Sequence, residues 1–333
     1  MTLRVGLVGA GFVSRHHLIG WRALAGRADV VAIADPSAPA AQSRADEFSI
    51  PATYPDAEAM LAAGNIDALD VAAPRAAHAG LVRLAARHGI PVLCQKPLAP
   101  TLMEAEALVA EIGTRTRLMV HENWRFRAYY RDAATWLRNG AIGPVHAARL
   151  EVLTSGTLPD AEGRYPALER QPFMRTERRM LVAEVLIHHL DTLRMLLGPM
   201  AVTSSVLSRT CEAMAGEDGA VIQLRTQAGA AVQLFASFAA HGHPPGAMDR
   251  LEILGQRGAI RLDGPVLSRS GPDPAERRYD LGQTYQGSYD ATLAAFVDRL
   301  ADGQPFETSP EDNLETLRIV EDCYRLSPWR PDP

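Results

Sequence analysis

From residue 3 to about residue 120, short apolar runs alternate with longer stretches whose apolar residues recur at helical spacing. Leu3–Val8, Val30–Ala34, Ala68–Ala73, Val92–Cys94 and Arg117–Val120 are too short for helices and mostly apolar, which predicts buried strands. Val13–Ala25, Ala38–Phe48, Ala57–Ala63, Ala77–His88 and Leu102–Ile112 are the helices expected between them. Strict alternation of this kind predicts a doubly wound α/β domain, a parallel sheet covered on both faces.

Beyond residue 120 the pattern changes. A helix over Arg127–Asn139 precedes an extended run, Val145–Leu153, and then a polar, Pro- and Arg-rich stretch from Thr154 to Arg179. An apolar helix, Leu181–Leu197, stops at Gly198-Pro199. Alternating runs follow at Ala201–Ser208, Ala220–Arg225, Ala230–Ala236, Arg250–Ile253 and Ala259–Leu262, separated by glycine turns as hairpins require. Tyr289–Leu300 and Glu311–Leu326 return to helical spacing. The expectation is a second, α+β domain built on a large, mostly antiparallel open sheet, with the boundary at residues 122/123 and the last helices packing back on the first domain.

Composition narrows the function classes. The net charge of −5 and the absence of a basic block disfavour nucleic acid or an anionic membrane surface as partner. Three scattered cysteines without a CxxC pair argue against a disulfide scaffold or zinc ribbon. The lack of a long apolar run or a leader-like amino terminus leads to the expectation of a cytoplasmic protein. Of the 34 basic residues, one alone is a lysine, Lys96; a GC-rich genome explains the bias and leaves the exception to be explained.

That exception lies in Cys94-Gln95-Lys96-Pro97, at the carboxyl end of an expected strand, where doubly wound sheets bind ligands. Lysine offers a compact ammonium whose proton can be shared, as a guanidinium's cannot. Upstream, Gly9-Ala10-Gly11-Phe12-Val13-Ser14 joins the first strand to the first helix. The first glycine suits a tight turn, the second lets backbone approach a pyrophosphate, and Ser14 takes the small-residue position. Asp35 ends the second strand at the separation expected for a ribose-binding carboxylate, which favours NAD over NADP; capping of the next helix is its structural alternative. Ala73-Pro74 and His78 follow another strand, and His121-Glu122-Asn123-Trp124-Arg125-Phe126 follows the last, with Asn123 and Arg125 placed to reach the nicotinamide side.

In the second domain, Glu184, His188 and Asp191 fall within about 60° of arc on the apolar helix, at about 100° per residue. A histidine with a carboxylate one turn earlier is a plausible proton acceptor, although a purely structural i,i+4 pair stays open. His189 points elsewhere and is expected to pack. The His16-His17 and His241/His243 pairs lack zinc-type spacing, and no metal is expected.

In this order and spacing, the glycine fingerprint, the Pro74-to-His78 segment, Lys96-Pro97, the Asn123-x-Arg125-Phe126 segment, the acid-x3-His-x2-Asp helix and the closing stretch Phe296 to Ser327 resemble the glucose–fructose oxidoreductase / inositol dehydrogenase (Gfo/Idh/MocA) family. The resemblance implies a Rossmann domain followed by an α/β dehydrogenase domain whose open sheet packs against another subunit, as a homodimer or homotetramer. It implies that Lys96 is the active-site lysine and His188 the catalytic histidine. Glu184 stands where the family usually has Asp, and Gln95 where a Glu usually precedes the lysine. NAD contacts are expected from Gly9, Gly11, Phe12, Val13, Asp35, Ala73, Pro74, His78, Gln95, Lys96, Asn123 and Arg125. Substrate contacts are expected from Lys96, Arg125, Glu184, His188 and Asp191. The expected function is NAD-dependent hydride transfer from a hydroxyl-bearing carbon of a sugar, cyclic polyol or sugar derivative. Two alternatives remain open: an NAD-assisted lyase or hydrolase, and a non-catalytic NAD-binding sensor.

Overall fold

The computed structural model describes residues 2–246 and 248–330, which divide into two compact units. The first comprises residues 2–126 with Tyr285–Leu317. Its strands β1 (Leu3–Val8), β2 (Ala28–Ala34), β3 (Ala52–Tyr54), β4 (Ala68–Val71), β5 (Val92–Gln95) and β6 (Leu118–His121) form one sheet in the order β3-β2-β1-β4-β5-β6. Every pairing in it is parallel. Chain order reverses between β1 and β4, so the carboxyl ends of these strands flank the switch-point crevice where such sheets bind ligands.

Helices α1 (Ser14–Ala23), α2 (Ala38–Phe48), α3 (Ala57–Ala62), α4 (Arg75–Arg87) and α5 (Leu102–Ile112) cover the sheet. Ser37, Asp56 and Thr101 each cap a helix by accepting a backbone N–H three residues on. Strand residues alternate between two cores. Val8, Leu69, Val71, Cys94 and Val120 pack with Val82 of α4 and Leu108 of α5. Val5, Ala68, Leu93 and Met119 pack instead with Trp21 of α1 and with Leu293 and Phe296 of α9 (Leu281–Asp302). Trp21 and Phe296 meet edge to face at 6.4 Å, and each large buried ring contributes on the order of 2–3 kcal/mol of hydrophobic stabilisation. The sequence pattern missed β3, three residues at the sheet edge, too short and too exposed to show a period.

The second unit comprises, of the described residues, 127–284 with 318–330. Its eight strands are β7 (Val145–Leu153), β8 (Met200–Ser208), β9 (Gly219–Thr226), β10 (Ala231–Ser237), β11 (Met248–Gly255), β12 (Gly258–Asp263), β13 (Val266–Ser270) and β14 (Ala275–Arg278). They run in the order β14-β13-β12-β11-β7-β10-β9-β8, antiparallel throughout except where β7 meets β10. Ala148, Leu150 and Val152 of β7 face the core with Leu234, Leu251 and Ile253. The opposite face carries Arg149, Gln223, Gln233 and Glu252 around Ala147, Ala231 and Leu254. β14 is a polar edge strand, and neither it nor its neighbour β13 gave an alternating signal. A short helix, α7 (Pro166–Arg170), lies within the polar stretch from Thr154 to Arg179.

One expectation requires correction. The apolar segment 181–197 is not a continuous α-helix: Leu181–Leu186 is a π-helix, and α8 runs from Ile187 to Leu197. The wider turn coincides with a side chain at its start, because Glu217 accepts the backbone N–H groups of Met180 (3.2 Å) and Val182 (3.0 Å). Helix α6 (Ala128–Arg138) precedes the sheet, and α10 (Pro310–Leu326) follows α9. Among the described residues no helix is long and apolar enough to cross a membrane.

Candidate functional site

The Gly9–Ser14 turn has the shape a pyrophosphate requires. Gly9 sits at φ +102°, and a Cβ there would lie 2.6 Å from the carbonyl oxygen of Ala72, so both the backbone angle and the packing against the end of β4 demand glycine. A Cβ on Gly11 would meet nothing within 4 Å; its glycine serves space outside the protein's own packing. Helix α1 then begins at Val13-Ser14 with no side-chain cap and no acidic residue in its first turn, leaving its N–H groups and positive dipole end for an anion. Ser14 is fully buried and donates its hydroxyl to the carbonyl of Gly11 (2.7 Å), meeting the small-residue requirement of close packing. Exposed Phe12 stands at the tip of the turn.

Asp35 follows β2. One carboxylate oxygen accepts the N–H of Ala10 and the other that of Ser37, both at 2.8 Å, so it ties the glycine turn to the second strand. Ser37 rather than Asp35 caps α2. A carboxylate has about four lone-pair sites, so two hydroxyls can still be accepted there. Uncapped helix start, open glycine and strand-end carboxylate together fit a dinucleotide: the helix for its pyrophosphate, Asp35 for its ribose.

Lys96, half-buried, follows β5 directly, and its peptide bond to Pro97 is cis. His78 of α4 is buried beside it, with Nδ1 2.7 Å from the carbonyl oxygen of Pro97 and Nε2 2.8 Å from that of Ala73. Its ring therefore bridges the segments that follow β4 and β5. Gln95, the last residue of β5, is buried against His17 and His121. At the end of β6 the chain turns inward. Asn123 donates to Ser288 Oγ (2.8 Å), and the guanidinium of Arg125, 4% exposed, meets Asp312 at 2.7 Å and the carbonyl of Glu307 at 3.3 Å. Both side chains thus brace β6 against the 285–317 segment of their own unit.

In the second unit, Glu184 lies half-buried within the π-helix, and His188 is buried on the first turn of α8, where its carbonyl accepts the Thr192 hydroxyl. Asp191 is buried one turn on, 3.6 Å from Arg194. Two networks that sequence reasoning did not anticipate hold this helix. Around His189, Nε2 meets Asp249 Oδ1 at 2.9 Å, while Asp249 Oδ2 accepts the hydroxyl of Tyr130 (2.8 Å) and Arg127 Nη1 (3.3 Å). Burial alone would push the Asp249 carboxyl up, but His189, Arg127 and Tyr130 together hold it below the usual carboxylate range. At the other end, Tyr324 donates to Glu217 (2.5 Å) beneath the guanidinium of Arg179, 4.2 Å from its ring. Burial raises the Glu217 carboxyl above its ordinary value, against the lowering effect of the Tyr324, Val182 and Met180 hydrogen bonds. Glu217 stands between two glycines in a loop and Asp249 in an alternating strand, and neither position carries a local signal.

Residues 3–122 match the family described as oxidoreductase family, NAD-binding Rossmann fold, and residues 130–261 match the GFO/IDH/MocA C-terminal domain. The chain belongs to the Gfo/Idh/MocA oxidoreductase family. A D-apiose dehydrogenase of Paraburkholderia graminis is 32% identical, the alignment covering 96% of this chain and 86% of that protein. Another D-apiose dehydrogenase, from Rhizobium rhizogenes, is 31% identical over 97% of this chain and 94% of its own. An oxidoreductase from Agrobacterium radiobacter, solved in complex with NAD+, L-tartaric acid and magnesium, superposes with a TM-score of 0.90 at 30% identity, covering 98% of this chain and 96% of that one. Residues 3–122, the stretch that holds the glycine turn and Asp35, are accordingly an NAD-binding Rossmann domain of an oxidoreductase.

Proposed function

We propose that this oxidoreductase removes a hydride from a hydroxyl-bearing carbon of a sugar, cyclic polyol or sugar derivative. The reading is carried by the position of Lys96, the sole lysine, at the carboxyl end of β5 in an NAD-binding sheet. The D-apiose dehydrogenases among the relatives support the substrate class. Bound NAD supplies the hydride acceptor. Lys96 donates a hydrogen bond to the reacting oxygen and stabilises the negative charge that develops on it, and His188 accepts the hydroxyl proton as general base. Glu184 orients His188 or holds a neighbouring hydroxyl, and Asp191 supports the same helix. Ala73 and Pro74 shape the floor beside the glycine turn. The open face of the eight-stranded sheet pairs with a second copy of the chain, which sedimentation analysis measures directly.

The test is a screen of D-apiose, inositols and other sugars and polyols for NAD reduction, followed by Lys96→Arg on the best substrate. Arginine keeps the charge but not the compact, shareable proton, so kcat falls about 10²-fold or more. A kcat for Lys96→Arg within about twofold of wild type on that substrate refutes the assignment.

A further inference from the structure

Asp70 stands in the middle of β4 among Ala68, Leu69 and Val71, all without solvent exposure. A carboxylate inside a parallel sheet is strongly unfavourable unless its hydrogen bonds are supplied, and an apolar residue would serve the core as well. Its partners explain its presence. His17 Nδ1 lies 2.8 Å from Asp70 Oδ2 and 3.1 Å from Oδ1, and Trp21 Nε1 donates to the same Oδ2 at 2.7 Å. A carboxylate only accepts, so the proton of His17 resides on Nδ1 and a neutral ring presents a bare lone pair at Nε2. Gln95 Nε2 is 2.8 Å from that nitrogen and 3.1 Å from His121 Nδ1. The two imidazoles stack at 4.3 Å, with Tyr289 against both, so neither ring is placed to turn away.

Both donors of the Gln95 amide are therefore directed to the histidines. What Gln95 offers a ligand at the carboxyl end of β5, one residue before Lys96, is its carbonyl oxygen. We propose that Asp70 and His17 are positioning residues that lock the Gln95 amide so that its oxygen accepts a hydroxyl of the bound NAD. The idea rests on the reading of Gln95 as a cofactor contact. It gives a neutral side chain the acceptor function that a carboxylate in its place would have, with the negative charge set back inside the sheet.

Nitrogen-15 spectra of histidine-labelled protein read the tautomer, and NAD titration by calorimetry reads the consequence. Wild-type His17, assigned by its loss in His17→Gln, is expected to be protonated on Nδ1 alone. Asp70→Leu removes both acceptor oxygens, so the His17 proton moves to Nε2 and turns the Gln95 amino group outward; NAD binding is expected to weaken about tenfold. Trp21→Phe removes another hydrogen bond to Asp70 without changing the tautomer and is expected to bind NAD within about twofold of wild type. Should Asp70→Leu fail to fold, Gln95→Glu serves: its carboxylate cannot donate to His17, which is then expected to carry protons on both nitrogens. A doubly protonated His17 in wild type, a singly protonated one in Gln95→Glu, or a folded Asp70→Leu with unchanged NAD affinity overturns the proposal. None of these readouts requires turnover, so an absent polyol dehydrogenase activity would leave the proposal standing.

Discussion

Asp249→Asn tests the claim that a buried charged network, and not the apolar packing alone, fixes the helix bearing His188. The native carboxylate is 7% exposed and takes hydrogen bonds from His189, Tyr130 and Arg127. Asparagine keeps the shape but retains one oxygen and turns an amino group toward these donors. Breaking a buried pair by removing one partner destabilises by about 3–5 kcal/mol. At about 2–4 °C per kcal/mol for a domain of this size, the midpoint of unfolding should fall by roughly 6–20 °C, followed by circular dichroism or dye fluorescence. The sign with pH is also determined. The folded carboxyl titrates below its ordinary value, so its stabilisation is fully present above about pH 4 and is lost as pH falls through the folded value. The gap between wild type and variant should therefore be wide at pH 7 and close in acid. A midpoint within about 2 °C of wild type at pH 7, or a gap independent of pH, would refute the reasoning.

Other substitutions separate fold from function. Gly11→Ala meets none of the protein's own atoms and should melt as wild type yet bind NAD at least about tenfold more weakly, whereas Gly9→Ala, clashing with Ala72, should lower the melting temperature as well. His188→Asn should lower kcat by about 10²–10⁴-fold on the substrate found in the screen, with NAD affinity by calorimetry unchanged. Glu217 has the opposite linkage to Asp249. Its raised folded value means that its charged form weakens the unit as pH climbs above about 4.3, a slope that Glu217→Gln should flatten in pH-dependent denaturant melts, even though the variant is less stable overall.

Periodicity located most of the parallel sheet because its strands are apolar on both faces and its helices are amphipathic; Leu3–Val8, Ala38–Phe48 and Leu102–Ile112 have the bounds that the pattern gives. It failed where the structure depends on partners distant in sequence. The π-helical turn at Leu181–Leu186 is associated with Glu217, 35 residues from Val182, and an i,i+4 template has no means of expressing it. Arg125 and Asn123, expected at the cofactor because their segment follows a strand, also meet Asp312 and Ser288, partners more than 160 residues on that no local pattern shows. The His16-His17 pair lacks zinc-type spacing and shows no role by itself. Its real signal was Asp70, a lone carboxylate in an otherwise apolar strand.

The scarcity of lysine has a chemical consequence. Within these 333 residues Lys96 holds the only side-chain amine, half-buried at the end of β5. An acylating or reductively alkylating reagent therefore has one side-chain target, and that target lies at the cofactor end of the sheet. Adduct mass on the peptide spanning Lys96 then becomes a direct gauge of whether NAD shields it, without any engineered tag. The same scarcity makes amine-coupled immobilisation a poor choice for this protein, because the one side chain that can anchor it is the residue proposed to act on the substrate.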